Sequence, residues 1–313
     1  MKLAELRVGN RLDKQEVILW VQKSSQSANG SWFVRGSVED PSGAMGFICF
    51  NVESVNRVKE LTSAVPAVVS GHVQADRYGG DGKLQFLAEF IELIPPGIDV
   101  SHLLPVTSKD VAAYKEKFAV LVTRIQRQPL RELLREVFSG SLWEQFVRNP
   151  AAKSFHHAYI GGLLEHSVDV AETAAAIAAT VPGADRDMVI AGALLHDIGK
   201  TVEISSDIGF LYTENGHLLG HITAGVLLIE AAAARTQLPE ADRKSVLHIV
   251  LSHHGSRDKG SPVNCATQEA VIVHYADELN AVLQQFVENG EKEGQGWVFS
   301  KMLGHMIRVR ELS

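Results

Sequence analysis

Residues 193–200 read Ala-Leu-Leu-His-Asp-Ile-Gly-Lys, and they place a histidine beside an aspartate at the end of an apolar run. The residues up to that pair, 188–195, are apolar on all sides, which predicts a buried helix. A buried imidazole and a buried carboxylate are unfavourable without a compensating charge, which a divalent cation can supply. We therefore interpret His196 and Asp197 as candidate metal ligands. A capped helix end with a hydrogen-bonded histidine is the alternative interpretation.

Neighbouring segments supply further ligand-type side chains, and each of these segments is predicted to be helical. Small and apolar residues surround His166, and the adjacent pair His253-His254 precedes the helix-breaking Gly255. The candidates are His166, His221, His253, His254 and Asp277. A single histidine on an apolar face is usually a core residue, but candidates on several helices that must pack together favour a metal site.

The same residues resemble a known signature. His166, the pair His196-Asp197 and Asp277 match the H…HD…D pattern of the HD-domain metal-dependent phosphohydrolases, an all-helical superfamily. The additional histidines resemble those of members that bind two metal ions. Longer stretches look like the YhaM-type 3′→5′ exoribonucleases, which join an N-terminal OB fold to an HD domain. These stretches are residues 153–159, 161–166, 219–222, 251–255 and 274–277.

The resemblance implies a distribution of ligands over two metal sites. Asp197, with two carboxylate oxygens, would bridge the sites. The first site would be completed by His166, His196 and Asp277, and the second by His221, His253 and His254. Two divalent ions are expected, with manganese as the expected metal and magnesium, iron, nickel or cobalt as alternatives.

Three further residues resemble positions of the family near the substrate. Lys200 resembles the phosphate-contacting lysine that follows many HD pairs, which makes Asp197 and Lys200 the candidate catalytic residues. A cation that offsets a helix dipole is the alternative role for Lys200. His156 and His157 resemble family residues close to the substrate and are candidates for binding it.

Composition limits the class of protein. The 313 residues suffice for two domains, and 21% charged with 45% hydrophobic residues is ordinary for a soluble globular protein. Two cysteines and the lack of a secretory apolar segment predict a cytoplasmic protein without a membrane partner. The net charge of −7 is uneven, because residues 109–153 carry nine basic and five acidic residues.

The N-terminal part has a β pattern. Five strand-like runs are separated by turn signals, with a helical stretch at 55–61 after the third; the runs are 16–21, 31–38, 45–50, 67–73 and 84–91. This order predicts an all-β OB-fold barrel, on which Trp32, Phe47 and Tyr78 are candidates for stacking bases.

Helical periodicity begins at residue 109 and predicts an all-α domain after the barrel, which the resemblance identifies as an HD domain. The predicted helices are 109–125, 129–147, 157–180, 186–197, 218–235, 239–253 and 267–289. The expected domains are an OB-fold nucleic-acid-binding domain at 1–95, a linker with basic helices at 96–153, and the HD phosphohydrolase domain at 154–313.

These patterns favour one function and leave two alternatives. The favoured hypothesis is a metal-dependent exonuclease that degrades single-stranded RNA, or DNA, from the 3′ end to nucleoside monophosphates while the OB domain guides the strand. One alternative is an HD-type cyclic-dinucleotide or nucleotide phosphohydrolase. The other is a non-catalytic RNA-binding protein. Assembly as a homo-oligomer is left open.

Overall fold

The computed structural model describes residues 2–76, 83–153, 157–206, 210–293, 296–300 and 302–310. This chain forms two compact units, with the boundary between Val106 and Thr107. The first unit contains the β strands of the N-terminal part, and the second contains the helices. The boundary falls inside the segment 96–153 that was expected to link the domains.

The first unit is a closed barrel of five strands in the order β1-β2-β3-β5-β4. β3 pairs with β5 in parallel, and the other neighbours are antiparallel. A helix, α1, lies between the third and fourth strands, as predicted. The elements are β1 (Arg11–Gln26), β2 (Trp32–Asp40), β3 (Gly43–Cys49), α1 (Val52–Val58), β4 (Val65–Ala75) and β5 (Leu84–Leu93).

The direction of one aromatic side chain differs from the prediction. Phe47 is only 1% exposed and packs inside the barrel with its alternate neighbours Met45 and Cys49. Ile48 lies on the other face of β3, and the exposed Phe50 comes directly after the strand. Phe47 is therefore a core residue and cannot stack a base, so its assignment to substrate binding was wrong.

Close strand approach in the barrel requires glycine at position 36. A Cβ at Gly36 would overlap the carbonyl oxygen of Trp20 on the neighbouring strand. Gly46 is a matched contrast, because a Cβ there would lie 3.9 Å from its nearest heavy atom, the carbonyl oxygen of Gly36. The two glycines therefore differ in packing while both lie in strands.

We predict that Gly36→Ala destabilises the barrel by about 1–3 kcal/mol, since overlapping backbone must move apart. Gly46→Ala should be neutral or stabilise by up to about 1 kcal/mol, because glycine is entropically unfavourable in a strand. Urea unfolding followed by circular dichroism checks both variants. Equal midpoints for the two would contradict the strand contact.

The second unit contains the helices α2 to α10. Its core includes the apolar run of α6 (Arg186–Leu195), in which every residue from Met188 to Leu195 is buried. Asp185 caps this helix by accepting a hydrogen bond from the backbone N–H of Met188. The helices are α2 (Val111–Arg124), α3 (Gln128–Val137), α4 (Gly140–Arg148), α5 (Gly162–Ala178), α6 (Arg186–Leu195), α7 (Lys200–Glu203), α8 (Glu214–Thr236), α9 (Glu240–Ser252) and α10 (Gln268–Glu293).

Three helix predictions differ from the structure at glycines or near them. The predicted helix 129–147 is two helices, because Ser139 is extended and Gly140 has a left-handed φ of 54°. The helix predicted from residue 157 begins at residue 162, after Gly161 with φ 87°. α8 is kinked at Gly220, which has φ 68° and ψ 163°.

The helical unit ends in a hairpin that the sequence did not predict. β6 (Gly296–Ser300) and β7 (His305–Val309) pair in antiparallel register. Val298, Ile307 and Val309 form a small cluster on which Phe286 of α10 packs. The barrel followed by a helical region is otherwise confirmed.

In the described chain, α8 is the one helix long and apolar enough to cross a membrane by length and composition. A core helix of a soluble protein passes the same test, so this is weak evidence for a membrane span. Ile229, Ala232 and Ala233 of α8 belong to the core of the helical unit.

Candidate metal centre

All seven predicted metal ligands come together in the helical unit. α5 carries His166 in its second turn, and the end of α6 presents the adjacent His196 and Asp197. The kink in α8 precedes its histidine, the end of α9 supplies two more, and α10 supplies the second aspartate. In that order the residues are His166, His196, Asp197, His221, His253, His254 and Asp277.

The first cluster joins four of these side chains through short distances. His166 Nε2 lies 3.1 Å from Asp277 Oδ1, 3.4 Å from Asp197 Oδ2 and 3.2 Å from His196 Nε2. His196 Nε2 lies 3.2 Å from Asp197 Oδ2 and 3.9 Å from Asp277 Oδ1. A metal about 2.1 Å from each ligand atom separates neighbouring ligands by about 3.0–3.4 Å. These atoms are therefore spaced to hold one cation.

The second cluster uses the other oxygen of Asp197. Asp197 Oδ1 lies 3.7 Å from His221 Nε2 and 3.6 Å from His253 Nε2. Ligand atoms of His221, His253 and His254 all lie within 4.8 Å of one another. Asp197 thus directs one carboxylate oxygen toward each cluster, which is the geometry of a bridging ligand.

Unsatisfied polar atoms mark the second cluster as a cation site. Among the described residues, Asp197 Oδ1, His221 Nε2 and His253 Nε2 are buried without a hydrogen-bond partner. Each such atom disfavours folding by about 1–3 kcal/mol unless something satisfies it. Three of them facing one another fit a divalent metal, which accepts both carboxylate oxygen and imidazole nitrogen.

The remote nitrogen of four ligand imidazoles has an acceptor. Nδ1 of His196 and Nδ1 of His253 each donate to a backbone carbonyl one turn earlier, at 2.7 Å. Nδ1 of His221 lies 3.1 Å from Glu203 Oε1, and Nδ1 of His166 lies 2.8 Å from Asn280 Oδ1. Such partners fix the ring orientation and aim Nε2 at the cation.

Burial and neighbouring charges set the protonation of the cluster. Burial by itself raises the pKa of Asp197, but Lys200 and His196 outweigh it and hold that pKa well below its ordinary value. Burial lowers the pKa of His253 and, with nearby His221, that of His254. The carboxylate is therefore charged and these two imidazoles are neutral at pH 7, as metal ligands must be.

Lys200, the predicted phosphate-contacting residue, lies beside Asp197. Its ammonium donates to Asp197 Oδ2 at 2.6 Å, and the side chain also lines a pocket above the clusters. Burial lowers the pKa of Lys200, but Asp197 outweighs that effect and raises it. The side chain therefore carries a positive charge beside the centre.

The other predicted substrate residues have different surroundings. His157 is fully buried, and its Nε2 lies 3.1 Å from Asn280 Oδ1, the atom that also meets His166. It therefore cannot contact substrate, and that assignment was wrong. Trp32 is 42% exposed on the barrel, with the ammonium of Lys59 5.7 Å from its ring. His156 and Tyr78 lie outside the described residues.

Two residues that support the centre were not predicted from the sequence. Glu203 holds His221 through both its ring and its backbone N–H. Asn280 holds His166 and His157. Residues three positions apart on a helix are neighbours on its surface. Asn280 lies three residues after Asp277, and Glu203 lies three residues after Lys200, so this spacing could have identified both.

An open pocket of about 490 Å³ lies over the centre. Asp197, His221, His254 and Asp277 line it, and so do Lys153, Lys200 and Lys259. Such a pocket has the size of an ordinary small-ligand site. Carboxylates and imidazoles together with lysines suit a cation that in turn binds an anionic group.

Residues 163–282 match the family model of the HD domain. The chain contains an HD domain. All seven clustered side chains fall inside the matched range, together with Glu203 and Asn280. HD domains are typically metal-dependent phosphohydrolases that bind divalent cations, and the clustered side chains of this unit could hold such a cation. The assignment of each side chain as a ligand stays a prediction.

We predict that Mn²⁺ raises the melting temperature, because an ion that binds only the folded state stabilises it. At a free concentration one hundred times Kd, one ion adds about 2.7 kcal/mol. Differential scanning fluorimetry and calorimetric titration measure the shift and the number of ions. Wild type should bind two ions and His253→Ala one.

His217→Ala is the matched control, since His217 is exposed one turn before His221 on the same helix. It should keep the wild-type shift and stoichiometry. A His253→Ala variant that still binds two ions with wild-type affinity would rule out the second cluster as a metal site.

Proposed function

We propose that this protein is a metal-dependent 3′→5′ exonuclease that hydrolyses single-stranded RNA, with single-stranded DNA as an alternative substrate, to nucleoside monophosphates. The observation that carries the proposal is Asp197, which directs one oxygen to each of two ligand clusters under an open pocket lined by lysines. We expect the protein to act in the cytoplasm.

The pocket suits phosphodiester hydrolysis. Two divalent ions bound here would activate water and stabilise charge on the phosphoryl and leaving oxygens. Lys200 offers an ammonium next to the carboxylate that both clusters share. Lys153 and Lys259 lie on the same pocket lining and can bind a neighbouring phosphate. The protein residues therefore position a phosphodiester and offset its charge.

The barrel offers a surface for a single strand. Phe33 and Phe50 form an aromatic pair with ring centroids 5.6 Å apart. Lys23 and Arg35 lie directly opposite each other on β1 and β2. Like charges in opposed positions are unfavourable unless an anion lies between them. Stacking rings near paired cations are typical of sites that bind single-stranded nucleic acid.

Domain order supports the exonuclease over its alternatives. A barrel with OB-fold strand order followed by an HD domain is the arrangement of the YhaM-type 3′→5′ exoribonucleases that the sequence resembles. A pocket of about 490 Å³ also suits a small nucleotide, which keeps the nucleotide phosphohydrolase as the second candidate. The complete ligand set disfavours a non-catalytic RNA-binding protein.

The deciding experiment supplies Mn²⁺ and oligonucleotides labelled at either the 5′ or the 3′ end. Release of a labelled mononucleotide from the 3′ end, with a ladder of shortened 5′-labelled products, is the expected result. Intact oligonucleotides beside rapid hydrolysis of a cyclic dinucleotide would favour the second candidate instead.

We predict that Asp197→Asn lowers kcat at least a thousandfold, because the bridging carboxylate loses its charge at both clusters. Oligonucleotide binding should stay within a few-fold of wild type, since most strand contacts lie elsewhere. Asp258→Asn removes an exposed carboxylate of the same unit and should leave kcat unchanged. Retention of a tenth of wild-type turnover by Asp197→Asn would contradict the assignment.

We predict that a Phe33→Ala/Phe50→Ala variant raises KM for long single strands by about tenfold to a few hundredfold, as expected for one or two lost stacked bases. Cleavage of a dinucleotide should be unaffected, because such a substrate is too short to need the barrel. Ile98→Ala, at another exposed apolar position of the first unit, is the control. Unchanged KM for long strands would remove the barrel from substrate binding.

A further inference from the structure

Tyr212 is an exposed aromatic side chain on the wall of the metal pocket. It is 43% exposed and lines the same pocket as Asp197, His221 and Lys200. Among the phenylalanine, tyrosine and tryptophan residues of the described chain, it is the one that lines this pocket. The contacts described above within the two ligand clusters do not involve the Tyr212 ring.

Backbone pairing fixes this ring relative to the centre. Tyr212 forms an isolated β-bridge with Ile204, and the N–H of Ser205 donates to the carbonyl of Leu211 at 2.9 Å. The N–H of Thr213 donates to the carbonyl of Glu203 at 3.0 Å. Because the carboxylate of Glu203 holds His221, the ring and a metal ligand are anchored to the same short segment.

The neighbours of the ring suit a nucleotide. Lys153 also lines the pocket, with its ammonium 5.7 Å from the ring centroid. The ring of Tyr212 also makes an edge contact with His217, with ring centroids 5.5 Å apart. A nucleotide offers both a base for the ring and a phosphate for the ammonium and the metal centre.

We propose that Tyr212 forms a stacking subsite for the base of the nucleotide whose phosphate lies at the metal centre. This inference rests on the proposed function and adds the part of the substrate that the pocket recognises. Because every base has an aromatic face, the subsite tolerates all four bases. The chemical class recognised is therefore a nucleoside phosphate and not a sugar phosphate or a simple phosphate ester.

Binding of the reaction product tests the subsite without catalysis. Calorimetric titration in Mn²⁺ compares AMP with ribose 5-phosphate, which carries the same sugar phosphate and no base. Wild type should bind AMP at least about tenfold more tightly. Tyr212→Ala should lose this preference and keep its affinity for ribose 5-phosphate, whereas Tyr212→Phe should keep the preference.

Tyr275→Ala is the matched control, since Tyr275 is 61% exposed on α10 and does not line the pocket. It should behave as wild type with both ligands. A wild type without preference for AMP, or a Tyr212→Ala variant that retains it, would overturn the proposal.

Kinetics separate the subsite from the proposed nuclease function. An oligonucleotide with an abasic 3′-terminal nucleotide should have a raised KM with wild type, and Tyr212→Ala should raise KM for the natural oligonucleotide to the same level. Equal KM values for Tyr212→Ala and wild type on the natural strand would overturn the subsite. A wild type that cleaves no oligonucleotide yet prefers AMP through Tyr212 would overturn the nuclease and support the subsite.

Discussion

The helical unit depends on one buried carboxylate. Asp197 is 2% exposed and follows the buried apolar run 188–195 of α6, so its charge must be balanced locally. Lys200 balances it on one side, and imidazoles surround it on the others. Six helices, α5 to α10, place side chains at or beside this carboxylate, and the one from α10 is a second carboxylate, Asp277.

This constraint also explains the features around the centre. A left-handed glycine precedes α5, and another kinks α8 immediately before His221. Regular helices without these interruptions would direct the side chains elsewhere. Acceptors behind four of the imidazoles, His166, His196, His221 and His253, then orient those rings toward the clusters.

Much of this arrangement could be predicted from the sequence because its signals are local. The apolar run 188–195 predicts a buried helix, and the adjacent His-Asp and His-His pairs mark helix ends near the centre. Alternating strands and the helix after the third strand predict the barrel.

Other features depend on contacts between distant residues, which composition and spacing do not show. Phe47 could not be separated from exposed Phe50 without the barrel register. His157 precedes the first ligand by nine residues and looked like a substrate contact, but it is buried against Asn280, which it shares with His166. The hairpin after α10 is supported mainly by that helix, so its short strands gave no clear pattern.

The ligands are also spread widely along the chain. The first cluster joins His166 to Asp277, and the acceptor that orients His166 comes still later, at Asn280. A growing polypeptide therefore cannot complete this centre until α10 has left the ribosome. Any activity that needs the complete ligand set is therefore absent from the nascent chain until this last helix has emerged.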